Sequence, residues 1–201
     1  MQATSVSQQQ SSTESPLNLA LVTETWPPEI NGVAMTLSRL AGGVRDRGWR
    51  VSLVRPRQRN ESEWTDDGFG QLLVPGLPIP GYAGLRFGLP VMGTLRRNWA
   101  RQRPDVVHIA TEGPLGWAAL QVARSLNIPV TSTFHTNFHR YCKHYRIGWL
   151  RGLVTRHLRQ FHNRSAFTMV PNEVLRQNLQ RARFGGWRPG EGALPVQPLG
   201  A

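Results

Sequence analysis

The chain has 201 residues, 39% of them hydrophobic and 8% aromatic, which is enough for one sizeable domain and excludes a disordered chain. Cys142 is the only cysteine, so an intrachain disulfide is excluded, which fits a reducing, cytoplasmic compartment. Lys and Arg total 24 against 12 acidic residues, a net charge of +12, and Lys143 is the only lysine. Such a surface attracts polyanions, whether phosphorylated ligands, anionic lipid or nucleic acid, although a preference for arginine also follows from codon bias alone.

Residues 1–16 are polar, lack the apolar core of a secretory signal and read as a disordered leader. No apolar run approaches the roughly 20 residues that span a bilayer. Leu17–Thr23 reads as a buried first strand. Turn formers follow, and then Asn31 as the N-cap of a helix with Val33, Leu37, Leu40 and Val44 on one face, ended by Gly48. Arg50–Val54 is a second strand. From Arg55 to Phe87 the chain is rich in Pro and Gly and reads as irregular, apart from a short strand at Gln71–Val74.

Met92, Leu95 and Trp99 mark a helix flanked by Arg96, Arg97, Arg101 and Arg103 and stopped by Pro104. Asp105–Ala110 is a strand. Pro114 opens a helix with Leu115, Ala118, Val122 and Leu126 as its stripe. Pro129–Phe134 is a strand, and Leu150, Leu153, Val154, Leu158 and Phe161 mark a helix. Ala166–Val170 is a strand, and Asn172 caps a helix running to Arg181. Residues 182–201 read as an irregular Gly/Pro-rich tail. Strands alternating with helices predict an α/β fold, a doubly wound, Rossmann-like parallel sheet spanning residues 17–181. Ligands of such sheets bind beyond the carboxyl ends of the strands, so Glu24–Gly32, Thr111–Pro114, His135–His139 and Pro171–Glu173 are the segments to watch.

Gly32 falls in the first turn of the first helix. There it either lets a phosphate reach free backbone amides or merely permits a tight turn. Neither GxGxxG nor a Walker sequence is present. His135, directly after a strand, either meets a sugar hydroxyl and developing charge or holds a loop carbonyl. Glu112 beside a helix start either receives a ligand hydroxyl or complements the helix dipole. His135 and His139 would not share a helical face, so no metal site is expected. No GxSxG or nucleic-acid motif occurs. The stretches Leu89–Arg103 and Ile147–Arg164 are basic and amphipathic. Each is either a lipid-interface helix or a surface helix whose stripe faces the core.

TETWPPEINGVAMTL, GLPIPGYAGLRF, PDVVHIATEGPLGWAAL and STFHTNFHRYCKHY occur in that order. With these the chain, from Leu17 to Arg181, resembles the N-terminal domain of family 4 glycosyltransferases, which have the two-domain GT-B fold. It is most similar to the lipid-acting subgroup: diacylglycerol-type and phosphatidylinositol mannosyltransferases and sulfoquinovosyl transferases. The resemblance implies a retaining transferase without cofactor or metal. It would move a hexose, mannose in this subgroup, from a nucleotide sugar such as GDP-mannose to a lipid or glycolipid acceptor. It implies a peripheral site at the inner face of an anionic membrane, with no nucleic-acid partner. It makes His135 the catalytic residue against the transferred sugar and Gly32 the contact of the donor diphosphate. Glu24, Asn31, Tyr82, Glu112 and Asn137 become acceptor-side residues.

The family's second domain, with its Gly-Arg segment, donor lysine and paired glutamates, has no counterpart in these residues. The resemblance therefore implies a truncated, frameshifted or split product that needs a separate C-terminal domain and is inactive alone. The alternative is a non-catalytic module that binds membranes or anionic ligands.

Overall fold

The computed structural model describes residues 15–58, 68–79, 86–134, 151–182 and 197–198. Strands β1 (Asn18–Val22), β2 (Arg50–Pro56), β3 (Gly70–Val74), β6 (Val106–Ile109), β7 (Val130–Thr133), β8 (Phe167–Val170) and β9 (Gln197–Pro198) form one sheet in the order β3-β2-β1-β6-β7-β8-β9. Every pairing in it is parallel. The helices are α1 (Gly32–Asp46), α2 (Met92–Arg101), α3 (Pro114–Ser125), α4 (Arg151–His162) and α5 (Glu173–Arg181). The doubly wound arrangement expected from the alternating pattern is the one observed.

Strand register explains the two faces. Leu21 pairs with Leu53 and Val22 with Val54 across β1 and β2, and Val22 pairs with Ile109 of β6. Because side chains alternate along a strand, Leu19, Leu21, Val51 and Leu53 join Leu37 and Ala41 of α1 on one face. Ala20, Val22, Val54, Val107 and Ile109 meet Leu95 and Trp99 of α2, the buried side of α3 and Phe161 of α4 on the other. The helix of the crossover toward β2 and those of the crossovers toward β7 and β8 fall on opposite faces, as the right-handed rule requires of connections that run in opposite directions along a sheet. The strand order reverses between β1 and β6, and the crevice beyond their carboxyl ends is the switch point of the fold.

Three findings refine the sequence reading. The stretch from Arg55 to Phe87 is not irregular apart from one strand. Beyond β3 (Gly70–Val74) it also contains β4 (Gly76–Pro78), paired antiparallel with β5 (Arg86–Gly88). Within the Gly/Pro-rich terminal stretch, Gln197 and Pro198 pair with Met169 and Val170 at the sheet edge. On α2, Leu95 and Trp99 are buried and only Met92 of that stripe is exposed. That stripe therefore faces the core rather than a lipid interface. On α4, likewise, Leu158 and Phe161 are buried while Leu153 is exposed. No helix among the described residues is long and apolar enough to cross a membrane.

Candidate active site at the carboxyl edge of the sheet

The segment after β1 is held by its own side chains. Thr23 Oγ1 donates to the Thr25 carbonyl at 2.8 Å. The Thr25 hydroxyl donates to Glu29, and Gln58 donates to the other oxygen of that carboxylate. Asn31 Nδ2 donates to Thr25 Oγ1 at 2.6 Å, while Asn31 Oδ1 accepts from the Ala34 amide at 2.9 Å. Asn31 is thus the N-cap read from the sequence, and its side chain fixes where α1 starts. At the next position Gly32 is exposed, and a Cβ added there would meet nothing within 4 Å. Helix geometry leaves the first amides of α1 without intrahelical acceptors, so this start is an open, electropositive surface.

Across the switch point, the segment after β6 approaches the segment after β1. The Glu24 amide donates to Thr111 Oγ1 at 3.1 Å. The Glu24 carboxyl turns inward against Gly113, the N-cap of α3, where an added Cβ would lie 2.2 Å from Oε1. Oε1 is buried with no hydrogen-bond partner among the described residues. Burial pushes the Glu24 carboxyl up to about 7, and the neighbouring Glu112 carboxylate adds to the rise. The backbone amides of Gly88 and Leu115 oppose it.

Glu112 is part of a buried chain that the sequence did not disclose. Its Oε1 lies 3.2 Å from His162 Nε2, in a pair whose side chains are 10% and 1% exposed. His162 Nδ1 lies 3.0 Å from Ser132 Oγ, and Ser132 Oγ lies 2.9 Å from Thr168 Oγ1. The order carboxylate, imidazole, hydroxyl resembles a nucleophile triad, but Ser132 is fully buried in β7 and cannot meet a substrate. The chain instead ties α4 to β7, β8 and the loop after β6. One oxygen of Glu112 is thereby committed to His162, so the dipole reading of this residue explains less than the pairing does. Replacing Ser132 with Ala removes a hydrogen-bond partner of both His162 Nδ1 and Thr168 Oγ1. It is expected to cost about 1–3 kcal/mol, read as a lower midpoint in urea unfolding.

Of the residues singled out in the sequence, Glu24, Asn31, Gly32 and Glu112 come together at one edge. Tyr82, His135 and Asn137 lie outside the described residues. β7 nevertheless ends at that same edge, two strands from β1, a separation of about 10 Å. No group of His, Cys, Asp and Glu suited to a metal ion occurs among the described residues. A cleft of about 600 Å³ opens at the opposite edge, beside Asn18, Arg50, Gly70 and Pro104.

The description of Glycosyltransferase Family 4 matches residues 30–188, most of the chain. The chain belongs to glycosyltransferase family 4. This family 4 domain is 28% identical over 174 residues to a GDP-mannose-dependent alpha-mannosyltransferase of Mycolicibacterium smegmatis, covering 84% of this chain and 45% of the relative. It is 25% identical over 165 residues to an alpha-monoglucosyldiacylglycerol synthase of Streptococcus pneumoniae, covering 81% and 37%. The chain thus spans less than half the length of these relatives. Among solved structures it superposes on sucrose-phosphate synthase from Thermosynechococcus elongatus with a TM-score of 0.64 at 12% identity, covering 92% of this chain and 48% of that one. That likeness establishes the shared GT-B half and nothing about substrate.

Proposed function

We propose that this family 4 domain forms the acceptor side of a retaining hexosyltransferase that moves mannose from GDP-mannose to a lipid or glycolipid acceptor. The observation that carries the reading is the exposed, unobstructed start of α1 at Gly32, at the switch-point edge of a sheet whose sequence relatives include a GDP-mannose-dependent mannosyltransferase and a glucosyldiacylglycerol synthase. A donor diphosphate fits that helix start by charge and by space. His135, two residues beyond the end of β7 in the sequence, is the candidate to lie against the transferred sugar. Glu24, Asn31 and Glu112 line or support the acceptor side, with Tyr82 and Asn137 assigned there by the family resemblance.

By the family resemblance, the nucleotide itself is bound by the second domain of the GT-B fold. The exposed Arg96, Arg97 and Arg101 on α2, together with Met92 at its start, support attachment to an anionic membrane surface at the cytoplasmic face. The reading is tested by joining this chain to the C-terminal half of the Mycolicibacterium smegmatis relative and supplying radiolabelled GDP-mannose with vesicles containing diacylglycerol and anionic lipid. Label is expected in the lipid fraction. A folded hybrid that binds GDP yet transfers no mannose to any lipid would contradict the reading.

A further inference from the structure

The cleft at the amino edge of the sheet lies at the far end of the strands from Gly32, and its volume of about 600 Å³ suits a small ligand. It exists because α2 covers only part of its face. Leu95 and Trp99 join the core around Ala20, Val22 and Val54, and the amino ends of β2 and β3 are left bare. Ser52 and Gly70, paired in register there, are both exposed. Both are small, and a Cβ added at Gly70 would meet nothing within 4 Å, so they make an open floor. Arg50 lies two residues before Ser52 on β2 and therefore on the same face of the sheet. Asn98 on α2, with Gln102 and Arg103 just past the end of that helix, completes the lining on the other side.

The chemistry of the lining is one-sided. Two arginines border the cleft and no carboxylate does. Asp105, next to it in the chain, accepts from the Asn18 amide at 2.7 Å. The Arg103 guanidinium is fixed by the Leu126 and Asn127 carbonyls at 2.7 and 3.0 Å, neutral acceptors that leave its charge in place. The side chains of Arg50, Asn98 and Gln102 have no hydrogen-bond or ion-pair partner among the described residues. A guanidinium without a carboxylate favours a phosphate, and carboxamides both donate and accept, as sugar hydroxyls require. No aromatic ring lines the cleft to stack on a nucleobase. We propose that this amino-edge cleft is a second ligand site, which takes a small phosphorylated sugar with its phosphate on Arg50 and its hydroxyls on Asn98 and Gln102.

The test is a titration of the 201-residue chain, labelled with nitrogen-15, followed by proton–nitrogen NMR. The probe is glucose 6-phosphate, with inorganic phosphate and glucose titrated in parallel. Glucose 6-phosphate is expected to shift the Ser52, Gly70 and Gln71 amides and the Asn98 and Gln102 carboxamides saturably. Inorganic phosphate is expected to move the same signals more weakly, and glucose alone more weakly still. Arg50→Gln removes the charge from an exposed position and is expected to weaken glucose 6-phosphate roughly tenfold or more. Ser52→Leu, which fills the floor, is expected to abolish the response, with thermal melts showing that both variants are folded. No saturable shift of these signals, shifts confined to the residues around Gly32, or an unchanged affinity in Arg50→Gln would each overturn the proposal. Equal affinity for inorganic phosphate would overturn the sugar assignment, and equal affinity for glucose the phosphate assignment. If Ser52→Leu does not fold, Arg50→Gln decides alone. None of these readouts involves sugar transfer, so the inference stands or falls separately from the transferase reading.

Discussion

Gly116→Ala is expected to destabilise the domain by about 3 kcal/mol or more, with a drop in melting temperature of roughly 10 °C. The added methyl would lie 2.0 Å from the Thr111 carbonyl oxygen and 3.1 Å from Ile109 Cγ2. Neither neighbour can turn aside. Ile109 is fully buried in β6, and Thr111 belongs to backbone that leaves that strand and receives the Glu24 amide on its hydroxyl. Relief would require α3 to lift from the sheet, and α3 contributes much of one core, through Leu115, Ala118, Ala119, Leu120, Val122 and Ala123. The same displacement would pull Gly113 away from Glu24 and open the switch point. Circular dichroism melts of the two proteins measure the effect, and a variant melting within a degree or two of the wild type would show that the loop yields.

The fold was legible because its signals are local. α1 declared itself through Asn31 and the spacing of Val33, Leu37, Leu40 and Val44. Of these, Leu37 is buried and the others pack around it. The main strands of the sheet were legible because both of its faces are covered, which makes the strands continuous apolar runs. The β4–β5 hairpin was not legible. Its strands are three residues each, rich in Gly and Pro, and too short to show any period. The choice between a lipid-facing and a core-facing stripe on α2 stayed open in the sequence for a related reason. Amphipathic spacing states that one face is apolar and does not state what covers it, and here the core covers Leu95 and Trp99.

The site was legible by position and not by partnership. The rule that ligands sit beyond parallel strands selected Glu24, Gly32 and Glu112, and the structure gathers them at one edge. No local pattern could say that Glu24 turns inward against Gly113, or that Glu112 meets a histidine 50 residues later at the end of α4. Those pairings follow from crossovers that bring distant segments side by side. In hindsight the GPLG of α3 carried a hint, because Gly113 and Gly116 mark the two places where other atoms come within van der Waals contact of the backbone.

The central claim is that the start of α1 receives the donor diphosphate, and Gly32→Asp separates that claim from any effect on folding. The position is open, with nothing within 4 Å of an added Cβ, and a carboxylate in the first turn of a helix is favourable to the helix dipole. Stability is therefore expected to be unchanged or slightly raised. The same carboxylate would occupy and oppose the space proposed for phosphate. In the enzyme made by joining this chain to the second half of its mannosyltransferase relative, the measurement is kcat/KM for mannose transfer from GDP-mannose, taken alongside a thermal melt. The account predicts an intact melt with transfer reduced on the order of a hundredfold or more. An intact melt with transfer undiminished would contradict it.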